Sequence, residues 1–144
     1  MKLLVSACLL GCACRYDGQS QENEKVISLL KEHTLIPVCP EQLGGLCTPR
    51  VSAERIGESV MTRDGRDVTA QYLRGAQEAL RFYRLFGCEA AVLKARSPSC
   101  GSCEIYDGTF TGTRVPGEGV CAQLLRENGV CVVDEEHLDE LKRG

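Results

Sequence analysis

Ala91-Val92-Leu93 is a short apolar run that leads directly into Lys94-Ala95-Arg96-Ser97-Pro98-Ser99-Cys100-Gly101, and this stretch restricts the accessible folds most. A run of this length, bounded by polar, Pro and Gly residues, is too brief for a helix and reads as a buried strand. Pro98 fixes its own φ and biases Ser97 toward an extended backbone, while Gly101 permits a turn that a side chain would resist. A thiol is thereby held near two hydroxyls at a strand exit. Taken alone, the stretch is equally compatible with a buried free cysteine in an ordinary loop. Two further strand-like runs, however, end the same way: Leu3-Leu4-Val5 with Ala7 runs into Cys8, and Leu35-Ile36-Pro37-Val38 runs into Cys39.

Helical patterns separate these runs. Val26, Ile27, Leu29 and Leu30 recur at helical spacing and predict a surface helix over 21–33. Tyr72, Leu73, Ala76, Ala79, Leu80 and Tyr83 predict a long amphipathic helix over 69–86, stopped by Gly87. Val120, Cys121, Leu124 and Leu125 predict a third over 116–128, closed by Gly129, before a fourth strand at 130–133 and a short terminal helix over 135–142. Pro37 suits a position in its strand where no ladder bond is lost. Asp64-Gly65 marks a small hairpin within 51–68, and 105–110 reads as a loop or short hairpin. Strand-helix-strand alternation implies right-handed parallel units. The expected fold is therefore α/β, a single-domain Rossmann-like three-layer sandwich with a mostly parallel sheet, spanning 1–144. Ligands of such sheets gather beyond the carboxyl ends of the strands, where Cys8, Cys39 and Cys100 all fall.

Composition narrows the function. At 144 residues the chain suits one core, and its net charge of -3 comes without a basic stripe, so a nucleic-acid polymer is not an expected partner. Aromatic residues make up only 5%, with no Trp, which leaves little for stacking bases. Ten cysteines would suggest a disulfide framework in a secreted chain. Several of them sit inside apolar runs beside enough Leu, Val and Ala for an ordinary core, so a reducing cytoplasm is the expected location. The start, with Lys2 and the run to Gly11-Cys12, imitates a bacterial lipoprotein leader, but it is short, contains Ser6 and Cys8, and supplies a needed strand. No apolar run is long enough to cross a membrane.

Three converging thiolates suit zinc, copper(I) or an iron-sulfur cluster. A four-iron cluster normally takes four cysteines, so three leave one iron open to a small ligand, an arrangement for catalysis. Zinc is the alternative, with Cys12-x-Cys14 and Cys100-x-x-Cys103 as donors, although the first spacing is tighter than usual.

Cys8-Leu9-Leu10-Gly11, Arg15-Tyr16-Asp17-Gly18, Pro37-Val38-Cys39-Pro40-Glu41-Gln42-Leu43-Gly44-Gly45-Leu46 and Leu93-Lys94-Ala95-Arg96-Ser97-Pro98-Ser99-Cys100-Gly101 together resemble the motifs of the DUF523 family, over essentially the whole chain. That family includes thiouracil desulfidases, which remove sulfur from thiolated nucleobases with a [4Fe-4S] cluster held by three cysteines. The resemblance implies Cys8, Cys39 and Cys100 as ligands, Glu41 as acid-base residue and Ser97 as a catalytic hydrogen-bonding partner. Gly44, Gly45 and Ser99 are expected at the substrate, the glycines because a flat ring can approach bare backbone. The expected partner is a small thiolated nucleobase such as 2-thiouracil. Cys12, Cys47 and Cys103 lie outside these motifs' demands, and Cys14 has no assigned role.

Each residue also has an ordinary structural reading. Glu41 after Pro40 could open a helical turn. Ser97 and Ser99 could satisfy loop amides, and Arg15, Asp17, Lys94 and Arg96 could form surface ion pairs. Cys88, Cys121 and Cys131 suit core filling. His33 and His137 read as solvated bystanders. A non-catalytic metal- or cluster-binding module, and a thiol redox sensor using Cys12, Cys14 or Cys103, stand as competing functions.

Overall fold

The first strand, β1 (Lys2–Ser6), leads through a 3-10 turn (Ala7–Leu10) into a loop and the single-turn helix α1 (Glu24–Ile27). The computed structural model describes residues 1–142; 143–144 lie outside the described part. β2 (Thr34–Val38) is followed by α2 (Pro40–Leu43), and a hairpin of β3 (Ala53–Ile56) and β4 (Ser59–Thr62) precedes the long helix α3 (Thr69–Leu85). β5 (Ala90–Leu93) then feeds the hairpin of β6 (Glu104–Tyr106) and β7 (Arg114–Pro116), followed by α4 (Val120–Glu127) and β8 (Val132–Asp134). A 3-10 turn (Leu138–Glu140) comes last.

The central sheet has the order β2-β1-β5-β8 and every pairing in it is parallel. Strand alternation divides the core into two faces. Leu4, Ala91 and Leu93 face α3, α4 and the β3-β4 hairpin. Leu3, Val5, Ala90 and Val92 face the opposite way, onto Leu9, Cys14, Val26 and Val133. The expected α/β layering is present, with its second helical layer reduced to single turns. β2 is an edge strand, where a missing N–H is tolerated, and this accommodates Pro37.

Three predicted elements differ from the structure for physical reasons. The helix expected over 21–33 is only α1 plus a 3-10 turn (Ser28–Lys31). Residues before it are tied down by Gln21 and Asn23 amides donating to the Cys8 and Leu9 carbonyls, and Asn23 Oδ1 then caps the Val26 amide at 3.1 Å. The helix expected over 116–128 starts late, because Arg114–Pro116 pairs with β6. The terminal helix reduces to the last 3-10 turn, since the Asp134 side chain captures the Glu136 amide. The hairpin within 51–68 is real, but it turns at Gly57-Glu58, with Asp64-Gly65 making a second turn.

α3 is positioned by glycine. A Cβ on Gly75 would sit 1.8 Å from the Pro40 carbonyl oxygen, and one on Gly44 would sit 1.9 Å from that of Gln71. Bare backbone at both positions lets α2 lie directly on α3, and α2 follows Cys39 and carries Glu41. Gly75→Ala should therefore force the helices apart and cost about 1–3 kcal/mol of stability, read as a lower denaturant midpoint. An unchanged midpoint would contradict this close crossing.

Candidate active site at the carboxyl edge of the sheet

Strand order reverses between β1 and β5, and the crevice beyond the carboxyl ends at such a switch point is where open α/β sheets bind ligands. A cavity of about 710 Å³ opens there. Cys8, Cys39 and Cys100 all line it, together with Glu41 and Ser97. The β3-β4 and β6-β7 hairpins contribute Ala53, Glu54, Tyr106 and Phe110 to the far wall. These hairpins are joined by Glu54 Oε1, which accepts from the Gly108 and Phe110 amides at 2.9 and 3.1 Å.

The Cys100 loop is held by the start of α4. Gly119 and Val120 amides donate to the Gly101 and Pro98 carbonyls at 2.7 and 2.9 Å, and Cys121 donates to that of Ser99 at 2.8 Å. Loop carbonyls thus satisfy amides that a helix N-terminus leaves open. A Cβ on Gly119 would meet the Ser99 carbonyl at 2.4 Å, so glycine is what permits the contact. Within the loop, Ser97 Oγ accepts from the Ser99 and Cys100 amides at 3.1 and 3.0 Å and donates to Glu41 Oε1 at 3.4 Å. Ser97 therefore both braces the Cys100 loop and reaches the carboxylate.

Glu41 is fixed at its other oxygen. Arg50 Nη2 lies 2.5 Å from Glu41 Oε2, with the two side chains only 7% and 14% exposed. The same guanidinium donates to the carbonyls of Cys14 at 3.1 Å and Cys47 at 3.2 Å, and to Thr48 Oγ1 at 3.0 Å. Burial works against the Arg50 charge, but the adjacent Glu41 carboxylate raises its pKa above the usual range. Arg50 was not singled out from sequence, because only the folded path of its loop brings it back to α2.

Cys14 is a fourth thiol in this cavity. Cys39 Sγ donates to the Cys14 carbonyl at 3.7 Å. The Cys39 thiol pulls the Cys14 pKa down, but Cys8 and burial push it up to about 12. Contact with Cys14 and then burial raise Cys39 well above the usual thiol range. Burial, with Glu41 nearby, pushes Cys100 up to about 12, although the Ser6 and Ser99 hydroxyls oppose this. Buried thiols of this kind stay protonated unless a cation is among them, and a thiolate-ligated metal centre supplies that cation. The donor set of soft sulfurs fits an iron-sulfur cluster.

Other expected residues lie elsewhere. Gly44 packs against α3, Gly45 adopts φ +98°, and neither lines the cavity. Ser99 is wholly buried behind the wall, where its hydroxyl has no well-aligned partner. Cys12 and Cys103 are exposed and not part of the lining, so the zinc set built on Cys12, Cys14, Cys100 and Cys103 is not assembled there. Lys94 and Arg96, by contrast, line the cavity, where they form ion pairs with Glu135 and Glu136 at 2.9 and 2.8 Å. His33 is not free, since its Nδ1 meets the terminal amine at 2.9 Å, and His137 pairs with Asp134 at 2.7 Å instead of standing in a helix. Both stay out of the cavity lining.

The sequence model of the 2-thiouracil desulfurase family matches residues 3–137. The chain belongs to that family. It is 48% identical to a solved structure described as the [4Fe-4S]-dependent thiouracil desulfidase TudS (DUF523Vcz), with a TM-score of 0.91 over 97% of this chain and 94% of that one. It is also 41% identical to the uncharacterized protein YbbK of Bacillus subtilis (strain 168), over 96% of this chain and 99% of the relative. Among the described residues no helix is long and apolar enough to cross a membrane.

Removing Arg50 strands a buried carboxylate. Arg50→Ala is expected to cost about 3 kcal/mol in chemical denaturation, and Glu41→Gln, which keeps a hydrogen-bond acceptor for Arg50, should cost less. Equal costs would show that the pair is not the strap described here.

Proposed function

We propose that this chain removes sulfur from thiolated nucleobases such as 2-thiouracil and releases it as sulfide, using a [4Fe-4S] cluster held by Cys8, Cys39 and Cys100. The observation that carries the reading is that these three thiols and the Glu41 carboxylate share one cavity at the switch point of the sheet. Membership of the 2-thiouracil desulfurase family and the likeness to TudS support it. Ten free thiols, several buried, suit a reducing cytoplasm.

The cluster, when bound by three cysteines, supplies an iron that acts as a Lewis acid toward the exocyclic sulfur and makes the adjacent carbon electrophilic. The protein supplies the proton chemistry. Glu41, oriented by Arg50 at one oxygen and by Ser97 at the other, takes a proton from a water that adds to that carbon. It then returns the proton to the departing sulfur. The second water proton, left on the new hydroxyl, passes to the sulfur as the C–S bond breaks and the carbonyl forms, so water oxygen replaces sulfur, hydrogen sulfide leaves, and no electrons are gained or lost. Burial of the Glu41-Arg50 pair excludes bulk water and keeps the carboxylate in one orientation. Tyr72, buried in the cavity wall and raised in pKa by burial and then by Glu41, remains a neutral phenol beside it.

Anaerobically reconstituted protein should convert 2-thiouracil to uracil with equimolar sulfide. Single Ala substitutions at Cys8, Cys39 or Cys100 should lose the cluster spectrum and sulfide release together. Glu41→Gln should keep the spectrum while turnover falls by roughly 10²–10⁴. Ser97→Ala should lower both, because it removes a brace of the Cys100 loop as well as a contact to Glu41. Full cluster content with no sulfide from a panel of thiolated pyrimidines, purines and nucleosides would refute the proposal.

A further inference from the structure

A second group of ligating side chains meets outside the cavity, where β8 ends. We propose that Cys103, Asp134 and His137 form a binding site for a single zinc-class divalent cation, separate from the thiols of the cavity. One donor atom from each of the three lies within 4.8 Å of the other two. None of the three residues belongs to the cavity lining, although Glu135 and Glu136 between Asp134 and His137 do, so the site lies behind the cavity wall and uses donors other than the cavity thiols.

Asp134 is the residue that calls for a cation. It ends β8, and its side chain is only 3% exposed. Among the described residues, its side-chain hydrogen bonds all fall on Oδ1: the Glu136 amide donates at 2.9 Å and His137 Nδ1 lies at 2.7 Å. No Lys or Arg among the described residues pairs with this carboxylate, which leaves His137 as its ionisable partner. Buried charges are paired or coordinate metals, and a cation held here would serve this carboxylate directly.

The donor mix selects the metal. Thiolate, imidazole and carboxylate together are zinc ligands, and three of them leave a fourth position for water. Zinc bonds of about 2.0–2.3 Å in a tetrahedron set donors roughly 3.3–3.8 Å apart, so the three donors, already within 4.8 Å of one another, reach that geometry by small side-chain shifts. Binding displaces the Cys103 thiol proton to solvent, while neutral His137 ligates through one ring nitrogen and keeps its proton on the other. Nearby Arg96 does not oppose the cation, because Glu136 at 2.8 Å and Glu104 at 3.8 Å already neutralise it.

The site has a structural consequence. Cys103 follows Cys100 in the same loop, and Asp134 ends the strand beside β5. A shared metal ties the Cys100 loop to the neighbouring strand, alongside the existing bond from the Ala95 amide to Glu135 Oε1 at 2.8 Å.

The test is an anaerobic cobalt(II) titration of the iron-reconstituted, desalted full chain, compared with Cys103→Ala and His137→Ala prepared identically. Both substitutions are at side chains with solvent access, and circular dichroism checks that the fold is retained. Both variants are expected to bind about one equivalent less cobalt than the wild type, with loss of the corresponding tetrahedral d–d intensity. Zinc should raise the wild-type Tm and leave both variants unmoved. Because the readout is the equivalent lost, it is independent of cavity occupancy and of desulfidase activity. Equal stoichiometry in wild type and variants, or no cobalt bound by the wild type, would overturn the assignment.

Discussion

The parallel register of β1 with β2 and β5 decides where every reactive group ends up. Ser6 pairs with Val38, and Val5 pairs with Val92, so the chains leaving the three strands emerge at a common level. Ser6 Oγ reinforces this level by accepting from the Lys94 amide at 2.9 Å. A slip of one residue in either pairing would reverse which side chains face each core layer and would carry a cysteine out of the crevice. Two buried faces make such a slip prohibitive, because Leu3 and Val5 would exchange places with Leu4.

With register set, the loops beyond the strands are held by backbone contacts that need glycine. Gly44 and Gly75 let α2 rest on α3, and Gly119 lets α4 rest on the Cys100 loop. Each contact braces a loop or helix carrying a cavity residue against the longest helices in the fold. The site is thereby built on rigid elements although its residues lie in loops and single turns. Arg50 completes this framework, since one guanidinium reaches the Cys14, Cys47 and Glu41 segments at once. The cost falls on the thiols, whose burial and mutual proximity oppose ionisation. A site that disfavours bare thiolates favours a positively charged metal centre among them.

Much of this architecture was legible in the sequence because the informative signals were short-range. Apolar runs ending at Cys8, Cys39 and Cys100 gave the strands, and alternation with α3 and α4 gave the parallel sheet. What was not legible depended on tertiary contact. Helical spacing at Val26 and Leu29 overstated α1, because the preceding residues are bound to the Cys8 loop. Gly44 signalled close approach of backbone, and the backbone that approaches it is that of α3. Arg50 carried no local pattern, and Cys14 was legible only as half of Cys12-x-Cys14, not as a thiol of the cavity; the Arg50 amide reaches the Tyr16 carbonyl at 2.7 Å only after the intervening loops fold. His137 read as a bystander because nothing local revealed that Cys103 would lie beside Asp134.

The central claim is that this cavity replaces sulfur by water oxygen without net electron transfer. The most direct measurement is mass spectrometry of the product formed by anaerobically reconstituted protein from 2-thiouracil in oxygen-18 water, with sulfide quantified in the same sample. The account predicts uracil carrying one solvent-derived oxygen per sulfide released, without any added reductant. Uracil without the label, a dependence on reductant, or sulfide out of proportion to labelled product would contradict it.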